Sequence, residues 1–309
     1  MDFDRGRAQE ILKGAGLATN GPKEDLRYFL EEGLKEGLLT AAPLESKVLE
    51  WEPWTHRHYY FVKCSRDRLA AIGDSAGLLA LLKRAGIESR MKTTGKFYLP
   101  SSLKVDRLFI EDGKLVIILV APMITHERLH SADRYEGDLI YEVKRRKTSR
   151  KAYMIELNLR TGRGFLSVPA LTVLKGRTYA AEFAAVEKLV NSIVDIGSLE
   201  IASIGAAVEN LMQDDHAVSH SLQVKFDTGH KMSLKSPKKG AAVFDGQKMK
   251  KIEKIARDGH YAEGAFYFLD KPDHPDFRFK IHGDHRLGIF TDLEESEARD
   301  VMALVLENL

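Results

Sequence analysis

The sequence predicts a mixed α/β fold of the α+β kind, built from mainly antiparallel sheets with covering helices and a largely helical N-terminal domain. Three observations lead there. Apolar residues recur at helical spacing before about residue 90, they alternate at strand spacing through the middle, and tight-turn pairs such as Asp112-Gly113 separate neighbouring strands. With 309 residues, 44 % of them hydrophobic, the chain has enough apolar side chain for a sizeable core. The signals divide it into residues 1–95, helical with a short hairpin and winged-helix-like in order; 96–214, an antiparallel sheet with a basic hairpin and a covering helix pair; and 215–309, a smaller mixed block packed on the middle domain.

Taken in order, a short helix over 7–13 ends at Gly14, and a longer one over 23–36 sets Leu26, Phe29, Leu30 and Leu34 near one stripe before Gly37. "SKVLEW" and "HRHYYFVKC" read as strands around the turn-like "EPWT", and a helix over 66–84 carries Leu69, Ile72, Leu78 and Leu82. "VDRLFIEDGKLVIILVAP" gives two strands around Asp112-Gly113, a pair suited to a tight hairpin. "DLIYEVKR" and "KAYMIELNLR" then flank a basic turn, the second strand alternating Tyr153, Ile155 and Leu157 against Met154 and Glu156. A helix from Thr178, carrying Phe183, Val186 and Val190, and a second over 199–212 form an apolar pair that covers the sheet. "SLQVKFDT" and "HKMSLKS" join near Gly229, residues 248–257 read as a Lys-rich helix, and "GAFYFL", "FRFKIH" and "RLGIFT" add strands. A last helix over 294–306 opens with Glu294, Glu295 and Glu297, which suit the positive end of its dipole.

Charge bounds the function less than its distribution does. Lys and Arg number 47 against 45 Asp and Glu, a net of +2, yet the basic side chains concentrate in 144–151 and 231–254 while 292–300 is acidic. The single cysteine, Cys64, excludes an intrachain disulfide framework and a Cys-rich zinc ribbon, and points to a reducing compartment. The N-terminal residues lack a basic stretch followed by an apolar one, and the most apolar run, 115–124, is half of what a bilayer-crossing helix requires. A cytoplasmic protein without membrane insertion is expected.

"YEVKRRKTSRK", 141–151, carries the richest chemistry. As a projecting hairpin, Lys144, Arg145, Arg146, Lys147, Arg150 and Lys151 reach a phosphate backbone without a base code, and Lys235, Lys238, Lys239, Lys248, Lys250 and Lys251 extend the patch. The expected function is therefore nucleic-acid-backbone binding, DNA foremost and RNA as the alternative, without catalysis and without a cofactor. The same letters admit a metal-dependent nuclease. Glu142 and Lys144 share a strand face, and Asp138 supplies a second carboxylate for Mg2+ or Mn2+, with Asp133 and Glu156 as substitutes in another register. Against it stands an ordinary cross-strand ion pair between Glu156 and Lys144. His274, His282, Asp284 and His285 form a weaker metal candidate, lacking the helical His-Glu-x-x-His pattern. A third reading is a regulatory or scaffold protein that binds another protein through the apolar helix pair and the acidic last helix. No phosphate-binding loop and no Gly-x-Ser-x-Gly elbow is present in the sequence, and Cys64 beside an apolar strand reads as inert packing.

Overall fold

The computed structural model describes residues 5–54, 56–128, 134–136, 138–170, 178–214, 216–236, 242–243, 256, 259–268, 278–290 and 293–309. Three helices open the chain, α1 (Arg5–Gly14), α2 (Lys23–Lys35) and α3 (Ala41–Trp51). Strand β1 (Arg57–Lys63) follows, then α4 (Arg66–Ala70), α5 (Ser75–Arg84), β2 (Lys104–Glu111), β3 (Lys114–Arg128), β4 (Arg134–Glu136), β5 (Leu139–Tyr141), β6 (Lys144–Asn158) and β7 (Arg163–Pro169). The chain continues with α6 (Tyr179–Asn191), β8 (Glu200–Ile201), α7 (Ala207–Leu211), β9 (Ala217–Lys225), β10 (Lys231–Lys235), β11 (His260–Phe268), β12 (Arg278–Ile281), β13 (Arg286–Ile289) and α8 (Glu295–Glu307).

The expected class is the observed one: antiparallel sheet, covering helices and a helical N-terminal region. One sheet runs in the order β10-β9-β11-β12-β13-β1-β7-β6-β3-β2, with β8 paired to β1, and thus joins strands from all three expected segments. Strand β1 lies in its middle, antiparallel to β7 on one side and to β13 on the other. Its side chains alternate accordingly. Tyr59 and Phe61 enter a core with Trp54, Ile118, Met154 and α8, whereas Tyr60 and Val62 enter the opposite core with α4, α5 and α6. A satellite core holds α1, α2 and the start of α3 together through Leu12, Leu26, Leu30 and Leu44. Arg7 ties this bundle to the approach of α8 by donating to the Leu293 carbonyl at 2.7 Å.

Four expectations are corrected. Ser46–Trp51 is helical, so the short hairpin of the 1–95 segment does not form. Pro43 sits in the first turn of α3, where its missing N–H costs nothing, and Leu44 and Leu49 of that helix are buried. The 66–84 helix is two helices broken at Gly73, whose φ of 63° suits glycine, with Asp74 then capping α5 by accepting from the Ala76 and Gly77 amides. Residues 199–212 form β8 and the five-residue α7 in place of one helix. The apolar pair consequently straddles the sheet, Phe183, Val186 and Val190 of α6 in one core and Ala207, Val208 and Leu211 of α7 in the other. The 248–257 helix lies outside the described residues except for Ala256, which is helical.

The fourth correction shapes the functional site. There is no turn at 144–151, because the basic residues belong to one continuous strand, β6, paired residue for residue with β3 from Lys114↔Asn158 to Arg128↔Lys144. Between Val143 and Ala152 the sequence holds no Gly, Pro, Asn or Asp to reverse the chain. The reversal comes earlier, where β4 and β5 form a small hairpin between β3 and β6.

Candidate nucleic-acid interface

The β3–β6 pair outruns the sheet that anchors it. Strand β2 pairs with β3 only as far as Val120, and β7 pairs with β6 only over Met154–Leu157. Beyond these points the ladder continues through Ala121↔Lys151 to Arg128↔Lys144 with no other named strand beside it among the described residues. A two-stranded ribbon with exposed basic side chains on its distal part therefore projects from the sheet. Long unpaired strand edges invite association, and charged side chains are the usual protection against it.

Along this ribbon the six basic residues separate into two groups. Lys144, Arg145 and Arg146 are exposed and Lys147 is half-buried, all on the projecting part. Lys144 and Arg146 share one face, while Arg145 and Lys147 share the other. Arg150 and Lys151 are corrections to the expected interface, because both are buried at the ribbon root and committed to carboxylates. The Arg150 Nε donates to Glu52 Oε2 at 2.9 Å, its Nη2 reaches Asp106 Oδ2 at 3.3 Å, and its guanidinium lies over the Phe97 and Tyr98 rings. The Lys151 Nζ reaches Glu182 Oε2 of α6 at 3.0 Å from the opposite face. A buried charge left without its partner is costly, so these contacts lock the root and do not face solvent.

Lys235 is exposed on β10, an edge strand seven positions from β6 in the order of the sheet. Lys238, Lys239, Lys248, Lys250 and Lys251 lie outside the described residues.

The nuclease geometry is corrected in its register. Lys144 Nζ contacts Glu142 Oε2 at 3.0 Å with both side chains about half-exposed, a surface ion pair of the kind worth little. Glu156 is opposite neither residue. It lies at the other end of β6, roughly 40 Å from Lys144 at ~3.4 Å per residue. There Arg299 of α8 donates two hydrogen bonds to it and Lys114 lies 3.1 Å away, which together hold its carboxyl below the usual range. Asp138 is exposed at the β4–β5 turn, and Asp133 lies outside the described residues. Among the described residues no three His, Cys, Asp or Glu side chains gather as metal ligands. Of the histidine candidates, His282 lies against His58 with ring centroids 5.2 Å apart and planes tilted by 58°, His285 faces Ser203, Asp284 pairs with Arg286 at 2.6 Å, and His274 lies outside the described residues.

The ribbon tip carries a feature that charge counting misses. Leu139, Ile140 and Tyr141 of β5 are three consecutive large apolar side chains, each about half or more exposed. Their signal in the sequence is a hydrophobic triplet bounded by Asp138 and Glu142, which resembles an ordinary buried strand. Elsewhere the apolar helix pair expected to meet a protein partner is used internally: α6 buries its stripe in one core and α7 in the other. Cys64 is a buried free thiol whose Sγ contacts the Gly162 carbonyl, and burial pushes its pKa up, as expected of inert packing. Among the described residues no helix is long and apolar enough to cross a membrane. Comparison with known proteins returns no matching family model and no matching curated protein.

Proposed function

We propose that this protein binds the backbone of nucleic acid, DNA foremost, with the β3–β6 ribbon and without catalysis of its own. The supporting observation is the division on β6, where Lys144, Arg145 and Arg146 beyond the sheet are exposed and Arg150 and Lys151 at the root are buried against carboxylates. A two-stranded ribbon fits the major groove of duplex DNA, and cations on both of its faces meet phosphates on either side of that groove. The apolar tip adds a surface on which an unstacked base packs. In this reading the protein acts in the cytoplasm, which suits its free thiol.

The test is equilibrium binding of duplex and single-stranded DNA and RNA to the wild type and to a folded K144A/R145A/R146A variant. Loss of about three phosphate contacts weakens binding at low salt by at least tenfold. Equal affinity of the two proteins would remove the ribbon from the interface.

A further inference from the structure

A cavity of about 440 Å³ opens in the fork where the ribbon leaves the sheet. Strand β1 stays with β7 as far as Arg57↔Pro169, while β6 has already left β7 at Met154↔Ser167, so the strands diverge around this space. Its walls come from separate elements: Arg57 of β1, Arg150 of β6, Trp51 of α3, Met123 of β3, and the 97–99 segment through Phe97 and Leu99. Cationic groups thus sit beside aromatic and aliphatic ones, with the Glu52 carboxylate, already engaged by Arg150, also on the wall, in a space large enough for a small organic molecule.

Arg57 is the anomaly in this wall. Its residue is 2 % exposed, yet it takes part in none of the ion pairs between described residues. One nitrogen, Nη1, donates to the Ala152 carbonyl at 2.5 Å, filling the place on the β6 edge that β7 has vacated. The Nε is buried with no hydrogen-bond partner. Arg150, across the fork, likewise keeps an unpartnered buried Nη1 although its other nitrogens engage Glu52 and Asp106. Burial without a contacting carboxylate holds the Arg57 guanidinium below its ordinary pKa. Buried guanidinium N–H groups are satisfied in nearly all proteins, and two orphan nitrogens on residues that line the same cavity call for an acceptor.

We infer that this fork is a binding site for an oxyanion, a phosphate or carboxylate group on a small apolar or aromatic body, held by Arg57 and Arg150. A planar guanidinium matches the paired oxygens of such a group, and an oxygen between the two arginines accepts from N–H groups that otherwise have nothing to bond. The anion also offsets the Arg57 charge, which Glu52, engaged by Arg150, does not pair with directly. Trp51, Phe97, Leu99 and Met123 enclose the remainder of the molecule. As a site for a free molecule it stands independently of the nucleic-acid reading, since neither anchor is on the exposed part of the ribbon; as a site for a strand end it rests on that reading. The phosphate has two possible sources, a free nucleotide-sized molecule or the terminal phosphate of a strand held by the ribbon.

Calorimetric titration of the full chain with inorganic phosphate, AMP and benzoate, at constant ionic strength set by chloride, tests the site. Saturable binding of at least one probe is expected, weakened about tenfold to a hundredfold in Arg57→Met. A matched pair of oligonucleotides, with and without a 5′ phosphate, separates the sources: preference for the phosphorylated strand that disappears in Arg57→Met assigns a strand end, and AMP binding without that preference assigns a free molecule. No saturable binding of any probe or of the phosphorylated strand to the wild type, or equal binding by a folded Arg57→Met, overturns the inference. Should Arg57→Met fail to fold, Leu99→Trp, at an exposed position of the wall, replaces it: AMP binding reduced at least tenfold is expected, and undiminished binding contradicts the site.

Discussion

Lys144 and Arg150 lie on the same face of β6, a short way apart, yet the Lys144 side chain is 50 % exposed and that of Arg150 is 2 % exposed. The boundary between a solvated arm and a locked root falls between them. Substitution at the two positions is expected to have opposite consequences. Arg150→Ala leaves Glu52 and Asp106 buried without their cation and costs about 3–5 kcal/mol of unfolding free energy in a urea titration. Lys144→Ala stays within ~0.5 kcal/mol of wild type in the same titration.

Nucleic-acid affinity is expected to divide the other way. In a salt titration the K144A/R145A/R146A variant has a log K against log salt slope shallower by about 2–3, one unit for each lost phosphate contact. Lys235→Ala, on the far edge of the sheet, leaves the slope as it is in the wild type. A shift of similar size from Lys235→Ala would place the contact surface elsewhere.

The tip makes a separate prediction. Because Leu139, Ile140 and Tyr141 are exposed, replacing all three with Ser leaves the melting temperature within a few degrees of wild type. If the tip packs on unstacked bases, the same variant loses about 1–3 kcal/mol per base contact with single-stranded substrate, while its salt slope is unchanged. Fluorescence anisotropy at two salt concentrations measures both quantities.

Acid sensitivity follows from His58 and His282, whose rings lie 5.2 Å apart, tilted by 58°, at the centre of the sheet beside Arg286. Burial, reinforced by the Arg286 charge, lowers His58 to about 3 and His282 to about 4, from an ordinary 6.5. Both are neutral in the fold, whereas the unfolded chain takes up protons below about pH 6.5. Their contribution is therefore fully present above that pH and is lost as pH falls from about 6.5 toward 4 and 3, on the order of a few kcal/mol in total. A melting curve for His58→Phe that drops as steeply over this window as the wild type's would show that this pair is not the cause.

Much of the fold was legible because its signals are local. The Asp112-Gly113 turn, the alternation of β6 past Ala152, the apolar stripes of α2 and α6, and the acidic first turn of α8 each declare themselves within a few residues. What was missed depends on partners distant in sequence. Ser46–Trp51 has β-branched and aromatic content, but its helix is decided by Pro43 at the first turn and by burial of Leu44 and Leu49. The run of basic residues suggested a turn because charge is usually shed at turns, whereas the length of β3 dictates a strand opposite it. Arg150 and Lys151 are indistinguishable in sequence from Arg145 and Arg146, and only Glu52, Asp106 and Glu182, each far along the chain, separate them. The Arg57 fork had no sequence signal at all beyond an arginine at the head of an apolar strand.

The most direct measurement is the location of the contact itself. Lysine acetylation of the free protein and of its complex with duplex DNA, quantified by mass spectrometry at each lysine, reports which side chains the nucleic acid covers. The account predicts strong protection of Lys144 and Lys147 on the ribbon, and modification of Lys231 and Lys235 at the same rate in both states. Protection of Lys231 and Lys235 with Lys144 left reactive would contradict it.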